Sequence, residues 1–157
     1  MVRIGQGIDF HRFVPGDGLI FGGVVIPGER SLEAHSDGDI VLHSIMDSIL
    51  GALALGDIGE LFPDNNPIYQ DAKSSELLKE VLKYAEIEGF TLVNLDITVI
   101  SEFPKIRHYR DAIRNNLSEM LGLNLNRISI KGTTSEKLGF IGREEGVGVF
   151  VSILLEN

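Results

Sequence analysis

GVGVFVSILL, residues 146–155, predicts a β-strand that is apolar on both of its faces. Side chains alternate between the two faces of a strand, so Val149 and Val151 point one way while Phe150 and Leu154 point the other. Both faces of such a strand need cover, because apolar surface left in water is costly. The helices predicted in this chain suffice for one face only. We therefore expect the second face to pack against other subunits.

The remaining elements follow from the spacing of apolar residues and from glycine and proline. Together they predict a single α+β domain, residues 1–157, in which one mixed or antiparallel sheet is covered by helices on one face. A turn is expected at residues 13–18 and an irregular loop at residues 56–69. Helices are expected over residues 40–55, 74–88 and 108–121, and strands near residues 2–8, 19–26, 90–100 and 127–131.

The composition argues against several classes of function. The chain has 157 residues, of which 43% are hydrophobic, so it can bury a core. Its net charge of -9 argues against a nucleic-acid partner, because binding the phosphate backbone requires lysine and arginine. Without cysteine it has neither disulfides nor zinc–thiolate ligands. Neither a secretory signal nor a membrane-spanning run is visible, which favours a cytoplasmic protein with no membrane partner.

Two of the four histidines stand in contexts that predict a metal site. Asp9 and His11 are two residues apart just past an apolar strand, so both side chains can reach one ion. His43, on the predicted helix, would supply the third ligand. One carboxylate and two imidazoles form an open zinc site, whose fourth position takes water or a substrate oxygen. The alternative is that Asp9 and His11 form a turn and that His43 is a satisfied core histidine.

Two other polar segments allow both a functional and a structural interpretation. His35-Ser-Asp-Gly-Asp39 places several polar groups directly before a helix, and helix capping explains one or two of them. In the functional interpretation, this segment lines one side of the site and offers hydrogen-bond donors near the metal. Segment 56–64, with permissive glycines and isolated carboxylates, either closes over a hydroxylated ligand or merely turns a corner.

Segment 131–136, Lys-Gly-Thr-Thr-Ser-Glu, is equally ambiguous. Its hydroxyls and backbone N–H groups can hold phosphate oxygens, and Glu136 can bind Mg²⁺ or Mn²⁺. A helix cap with a glutamate in the first turn fits the spacing as well. Taken alone, residues 101–105 are consistent with a plain strand-to-helix connection and residues 143–146 with an ordinary exposed turn.

Four motifs then stand in order along the chain. They are G-x-G-x-D-x-H-R-F at residues 5–13, A-H-S-D-G-D-x-x-L-H at 34–43, L-G-A-x-x-L-G-D-I-G-x-x-F-P-D at 50–64 and K-x-T-T-x-E-x-L-G-F-x-G-R-x-E-G at 131–146. With these gaps the chain closely resembles the 2-C-methyl-D-erythritol 2,4-cyclodiphosphate synthase family of the non-mevalonate isoprenoid pathway. The resemblance implies a phosphorus–oxygen lyase acting on 4-diphosphocytidyl-2-C-methyl-D-erythritol 2-phosphate. The 2-phosphate attacks the β-phosphorus, expels CMP and closes the cyclic diphosphate.

The resemblance also implies cofactors and an oligomer. It assigns Asp9, His11 and His43 to one Zn²⁺ per subunit, and Glu136 to a second divalent ion, Mg²⁺ or Mn²⁺. It implies a homotrimer with an active site between each pair of neighbouring subunits. In some members of the family an isoprenoid diphosphate lies on the threefold axis.

The same resemblance assigns the substrate contacts. His35 and Thr134 match catalytic residues that stabilise the transition state on opposite sides of the reacting phosphates. The methylerythritol pocket corresponds to Ser36, Asp57, Ile58, Gly59, Phe62, Pro63, Asp64, Asn65 and Asn66. The cytidine pocket corresponds to Ser101, Glu102, Phe103, Pro104, Lys105, Ile106, Arg107 and Thr133. Other residues expected near the substrate are Asp9, His11, Ser135, Glu136, Phe140 and Arg143, the last of which also lies toward the trimer axis.

Two departures from the family pattern are visible. Members commonly read F-P-D-T-D where this chain has Phe62-Pro-Asp-Asn-Asn66, so an amide replaces a carboxylate at residue 66. Glu102 and Phe103 are bulkier than the small residues usual in segment 101–107. Whether these side chains contact the substrate is left open by the sequence.

Two other functions are consistent with the residues. A zinc hydrolase would need a base to activate metal-bound water, for which Asp39 or Asp47 is available, and it would release phosphate or ammonia. In a trimeric binding module, zinc would have a structural role and stabilise the fold. Structural zinc sites usually have four protein ligands, however, and this sequence offers three good ones.

Overall fold

The computed structural model describes residues 1–63, 65–69 and 72–157. Three short 3-10 helices, Pro67–Tyr69, Ile106–His108 and Leu125–Arg127, lie among the longer elements. In chain order these longer elements are β1 (Val2–Pro15), β2 (Gly18–Phe21), β3 (Val24–Pro27), β4 (Arg30–Leu32), α1 (Ile40–Leu53), α2 (Ile58–Leu61), α3 (Ser74–Ile87), β5 (Thr91–Ile100), α4 (Arg110–Leu121), β6 (Ile128–Thr133), α5 (Gly139–Gly142) and β7 (Gly146–Glu156).

The main sheet has the strand order β4-β1-β7-β5-β6, and β2 and β3 form a separate hairpin. Strands β5 and β6 are parallel, while the other neighbours in the main sheet are antiparallel. This confirms the predicted α+β class with a mixed sheet. Strand β7 is central and pairs with β1 over nearly its whole length, from Val2 opposite Glu156 to Arg12 opposite Gly146.

Helix α1 lies against the sheet unusually closely, because β1 carries glycines where the two elements meet. A Cβ atom added at Gly7 would overlap the backbone oxygen of Ser44, and one added at Gly5 would overlap that of Ser48. These glycines therefore permit a close approach of the α1 backbone. The contact brings the side chains of α1 directly over β1.

The two faces of the sheet differ sharply in burial. On the helix side, the predicted inward residues of β7 are buried, with Val149 and Val151 no more than 1% exposed. On the opposite side, Ile4, Ile8, Phe10 and Phe150 are each at least 40% exposed. The described elements thus cover one face, as expected, and leave an apolar surface on the other, which we call the open face.

Several predicted boundaries were wrong. The turn expected at residues 13–18 lies at residues 16–17, because β1 continues to Pro15 by pairing with β4, a strand too short to be recognised in the sequence. Helix α1 ends at Leu53, since Ala54 adopts a left-handed conformation with φ 60°. The third helix begins at Arg110, after a 3-10 turn. The segment expected to be irregular contains α2 and another 3-10 turn.

Among the described residues, none of the helices combines the length and apolar character needed to cross a membrane.

Candidate metal centre and substrate clefts

Asp9, His11 and His43 converge at one point between β1 and α1. The alternation of β1 places Asp9 and His11 on the helix side, where His43 faces them from α1. The Nε2 atom of His11 lies 3.0 Å from Oδ2 of Asp9, and Nδ1 of His43 lies 3.3 Å from the same oxygen. One ligand atom from each residue fits within 4.8 Å of the others. The predicted clustering is confirmed, and the alternative that Asp9 and His11 form a turn is wrong.

Hydrogen bonds on the outer side of each imidazole orient it toward the cluster. The Nδ1 atom of His11 lies 2.7 Å from the carbonyl oxygen of Glu33, which can only accept. That ring therefore carries a hydrogen on Nδ1, so Nε2, the atom that faces Asp9, is the one it can offer to a metal ion. The Nε2 atom of His43 lies near two hydroxyls, 3.0 Å from Oγ of Ser74 and 3.1 Å from Oγ of Ser36. Neither Glu33 nor Ser74 was predicted from the sequence to serve this site.

The electrostatics of the cluster favour an ionised carboxylate. Burial acts to raise the pKa of Asp9, but hydrogen bonds from His11 and His43 outweigh it and lower the pKa to about 2. Burial likewise acts to lower the pKa of His11, and the hydrogen bond to Asp9 overcomes it and raises that pKa. Asp9 is thus an anion at neutral pH, and a cation near it is favourable.

The donor set fits a divalent transition metal. One carboxylate oxygen and two imidazole nitrogens are ligands that zinc accepts, and three protein ligands leave a position for a non-protein oxygen. The orienting bonds to His11 and His43 are of the kind that accompany metal-binding histidines. The residues therefore fit the ion that the sequence motifs imply.

A cleft of about 980 Å³ opens beside the cluster, and we call it the first cleft. It brings together most of the residues assigned to the metal and to methylerythritol. Of the predicted set, the first cleft is lined by Asp9, His11, His35, Ser36, His43, Asp57, Ile58, Gly59, Phe62 and Asn65. It is also lined by Asp47, considered above as a hydrolase base, and by residues that were not predicted: Glu33, Ala34, Pro67, Tyr69 and Leu77.

The predicted loop over this cleft is partly ordered by carboxylates. Asp57 caps α2 by accepting from the backbone N–H of Glu60 at 3.0 Å, and Asp47 accepts from that of Ile58 at 2.8 Å. The Asn66 side chain accepts from the backbone N–H of Ile68 at 3.1 Å, so its amide serves a local turn. Asn66 and Pro63 are not among the residues lining the cleft, and Asp64 lies outside the described residues.

A cleft of about 670 Å³, the second cleft, lies where β5 and β6 end. It brings together most of the residues assigned to cytidine. Arg110 also lines it and was not predicted; the only signal for it was its position at the start of a helix. The predicted residues lining the second cleft are Ser101, Pro104, Lys105, Ile106, Arg107, Thr133 and Thr134.

Other predicted residues lie outside both clefts. Ser135, Glu136, Phe140 and Arg143 are absent from the described linings, as are Glu102 and Phe103. The alternative that segment 131–136 caps a helix is wrong, because α5 starts only at Gly139 with Leu138 before it. Glu136 instead has φ 54°, and its backbone N–H donates to Oγ1 of Thr134 at 3.2 Å.

The two catalytic candidates line different clefts. His35 belongs to the first cleft and Thr134 to the second, so this chain places them in separate clefts. Phe140 packs edge-on against Phe10 on the open face, with ring centroids 5.7 Å apart. Arg143 pairs with Glu145 at 2.7 Å.

Asp39, one of the two bases considered for a hydrolase, has a structural role. Its carboxylate accepts from the backbone N–H groups of Gly22 at 2.9 Å, Gly23 at 2.6 Å and Leu42 at 3.1 Å, and so caps α1. Burial raises the pKa of Asp39 to about 6, and those hydrogen bonds oppose the rise. Asp39 lines neither cleft and is unavailable to water there.

Comparison with known proteins agrees with the geometry. A sequence model of the YgbB family matches residues 2–156. The curated 2-C-methyl-D-erythritol 2,4-cyclodiphosphate synthase of Chlorobaculum tepidum is 51% identical over 156 residues, which cover 99% of this chain and 99% of that protein.

Solved structures show the same similarity. The bifunctional IspDF from Campylobacter jejuni is 44% identical with a TM-score of 0.94; the match covers 99% of this chain and 42% of that longer one. A CDP complex of IspF from Plasmodium falciparum is 42% identical with a TM-score of 0.86, over 98% of this chain and 95% of that chain.

Proposed function

Because this chain belongs to the YgbB family of 2-C-methyl-D-erythritol 2,4-cyclodiphosphate synthases, we propose that its two clefts hold different parts of one substrate. The enzyme converts 4-diphosphocytidyl-2-C-methyl-D-erythritol 2-phosphate into 2-C-methyl-D-erythritol 2,4-cyclodiphosphate and releases CMP, in the non-mevalonate isoprenoid pathway. The family and the activity expected from the motifs are thereby confirmed. Since the family match spans residues 2–156, we treat residues 1–157 as a single synthase domain.

The observation that carries the proposal is the convergence of Asp9, His11 and His43 at the floor of the first cleft. These three residues would hold Zn²⁺. When bound, the ion supplies charge neutralisation and a Lewis acid for a diphosphate oxygen. The negative charge of Asp9, maintained by its low pKa, keeps the centre attractive to a cation at neutral pH.

The surrounding residues of the first cleft suit methylerythritol and the reacting phosphates. His35 and Ser36 stand beside the triad and can donate hydrogen bonds to phosphate oxygens. Asp57 can accept from the sugar hydroxyls, while Ile58 and Phe62 supply apolar surface. The nucleophile and the leaving diphosphate are both anionic, so placement and neutralisation should provide most of the rate enhancement.

The second cleft suits the cytidine end of the substrate. Lys105 and Arg107 bring positive charge to it, and Ser101 and Thr133 bring polar groups at its edge. The CDP complex of the Plasmodium falciparum relative supports a cytidine nucleotide as ligand. We place this enzyme in the cytoplasm, with its phosphorylated substrate.

A homotrimer would complete the active site. His35 and Thr134 line different clefts of one chain, so both can face one substrate if the first cleft of one subunit meets the second cleft of its neighbour. The apolar open face, with Ile4, Ile8 and Phe150 exposed, supplies surface for such an assembly.

Two further ligands are proposed on the same basis. Glu136, whose Oε1 is 3.4 Å from Oγ1 of Thr134, would hold a second divalent ion, Mg²⁺ or Mn²⁺, close to the catalytic threonine. An isoprenoid diphosphate on the threefold axis would meet the aromatic pair Phe10 and Phe140 and the positive charge of Arg143.

The test is to incubate the purified protein with the cytidyl substrate, Zn²⁺ and Mg²⁺, and to follow phosphorus NMR. Formation of CMP together with the cyclic diphosphate is expected. Release of inorganic phosphate without cyclic product would instead indicate a zinc hydrolase. Of the two bases considered for that reaction, Asp47 remains available, since Asp39 caps α1. No turnover at all would favour a binding module.

A further inference from the structure

Ser74 joins the start of α3 to the metal-binding candidate His43. Ser74 is fully buried, and its Oγ lies 3.0 Å from Nε2 of His43. The same hydroxyl is hydrogen-bonded to Oδ1 of Asp37, while the backbone N–H of Ser74 donates to Oδ2 of Asp37 at 3.0 Å. The carboxylate of Asp37 therefore makes two hydrogen bonds to Ser74, one with its backbone and one with its hydroxyl. The hydroxyl lies between that carboxylate and the imidazole of His43.

The chemistry of these groups determines the direction of each hydrogen bond. An ionised carboxylate can only accept, so the Ser74 hydroxyl donates its hydrogen to Asp37. The Ser74 oxygen then accepts from Nε2 of His43, which must carry the ring hydrogen. Nδ1 lies 3.3 Å from Oδ2 of Asp9, and with a metal ion bound between them the neutral ring would keep its one N–H at Nε2 and present the Nδ1 lone pair to that ion.

We propose that Asp37 and Ser74 are positioning residues that hold His43 in the Nε2–H form, with Nδ1 free to bind the metal. The inference rests on the proposed metal site. It gives His43 the same kind of support that the carbonyl oxygen of Glu33 gives His11. Ser36, 3.1 Å from Nε2 of His43, is a second acceptor for the same hydrogen.

Helix capping alone does not account for the arrangement. The residue before α3, Lys73, makes no side-chain cap, and the bond from the Ser74 N–H to Asp37 already supplies one. Capping therefore does not explain the hydrogen bonds of the Ser74 hydroxyl. Its two bonds are instead explained by a chain that runs from Asp37 through Ser74 to His43, and the two roles can be separated by mutation.

The experiment compares Zn²⁺ dissociation constants, measured by competition with a chromophoric chelator, across variants. Ser74→Ala removes one oxygen and leaves the backbone cap in place. We expect it to weaken Zn²⁺ binding about 10- to 100-fold, as is typical when the partner of a metal-binding histidine is lost. Ser74→Thr keeps the hydroxyl and should restore affinity. Ser75→Ala, the same change one residue along α3, should leave it unchanged.

A second measurement needs no variant. Nitrogen-15 NMR of the zinc-loaded protein, with labelled histidine, reports which ring nitrogen of His43 carries hydrogen, and Nε2 is expected. A hydrogen on Nδ1, or Zn²⁺ affinity within about twofold of the parent in Ser74→Ala, would overturn the positioning role. If His43→Ala also left the Zn²⁺ affinity intact, the proposed metal site itself would fail, so the two failures are distinguishable.

Discussion

The carboxylate of Glu102 accepts a hydrogen bond from the backbone N–H of Lys137 at 3.0 Å. The ammonium of Lys137 lies 3.4 Å from the other oxygen of the same carboxylate, and the Glu102 side chain is only 4% exposed. Glu102 thus ties the segment after β5 to the loop that carries Glu136. That loop has left-handed backbone at Glu136 (φ 54°) and Lys137 (φ 66°), a conformation that non-glycine residues adopt seldom.

This contact answers the question that the sequence left open about Glu102. Its side chain is directed into the protein, where it holds a loop in place, and it lines neither of the two clefts. The bulk of Glu102 therefore replaces a small residue without occupying the second cleft.

We expect Glu102→Ala to lower the melting temperature and to reduce kcat/KM, because the loop that carries Glu136 loses its brace. The backbone N–H of Lys137 lowers the pKa of Glu102 in the folded protein. A carboxyl with a lowered pKa stabilises the fold above its unfolded value, 4.5, and loses that contribution as the pH falls below it. The difference in melting temperature between parent and variant should therefore shrink from pH 7 to pH 3.5.

Glu80→Ala is the control for this prediction, because Glu80 pairs with Lys83 at 2.7 Å on an exposed helix surface. It should change the melting temperature little, as exposed ion pairs contribute little. An equal decrease in melting temperature at both pH values in Glu102→Ala would contradict a stabilising role for the Glu102 charge.

Gly7→Ala should destabilise the protein, because the added methyl group would overlap the backbone oxygen of Ser44 and force α1 away from β1. Overpacking of this kind costs about 1–3 kcal/mol. Gly51→Ala is the matched control: its Cβ would meet nothing nearer than the Gln6 oxygen at 3.8 Å, inside α1. There alanine should stabilise by about 0.5–1 kcal/mol. Urea unfolding of both variants tests the pair, and effects of the same sign would contradict it.

His43→Ala should abolish turnover and leave the fold intact. The metal cluster lines the first cleft, whereas the core is built from apolar side chains that do not depend on it. Chelation of the metal should likewise stop CMP release, and added Zn²⁺ should restore it. Circular dichroism and light scattering provide the check. Unfolding or dissociation upon metal removal would favour a structural role for zinc.

Phe150→Glu should break the proposed homotrimer. Phe150 is 40% exposed at the centre of the open face and packs edge-on against Phe10, with ring centroids 6.3 Å apart. A buried charge there would be unpaired and costly, so light scattering should show monomers. Activity should fall with the assembly, because the proposed active site lies between subunits. Ile87→Glu, at a 78% exposed position on α3, should change neither the assembly nor the activity. A stable, active trimer of Phe150→Glu would exclude the open face as the interface.

Much of the site could be predicted because its signals are local. Strand alternation placed Asp9 and His11 on one side of β1, and the helical spacing of α1 was recognisable from its apolar residues. The two-sided apolar pattern of β7 likewise predicted an uncovered face. These features depend only on the period of a strand or a helix, and that period is visible in any window of a few residues.

The sequence by itself determined the class of the fold, the motifs of the family and the three residues able to bind a metal. Only the tertiary structure decided which groups support them: Ser74 reaches His43 from a helix that starts 31 residues later, and Glu102 reaches Lys137 across 35 residues. Such contacts depend on how closely whole elements pack, as where Gly5 and Gly7 admit α1 onto β1. The periodicity of residues along the chain does not determine how closely two elements pack. These partners can therefore be identified only in the folded structure.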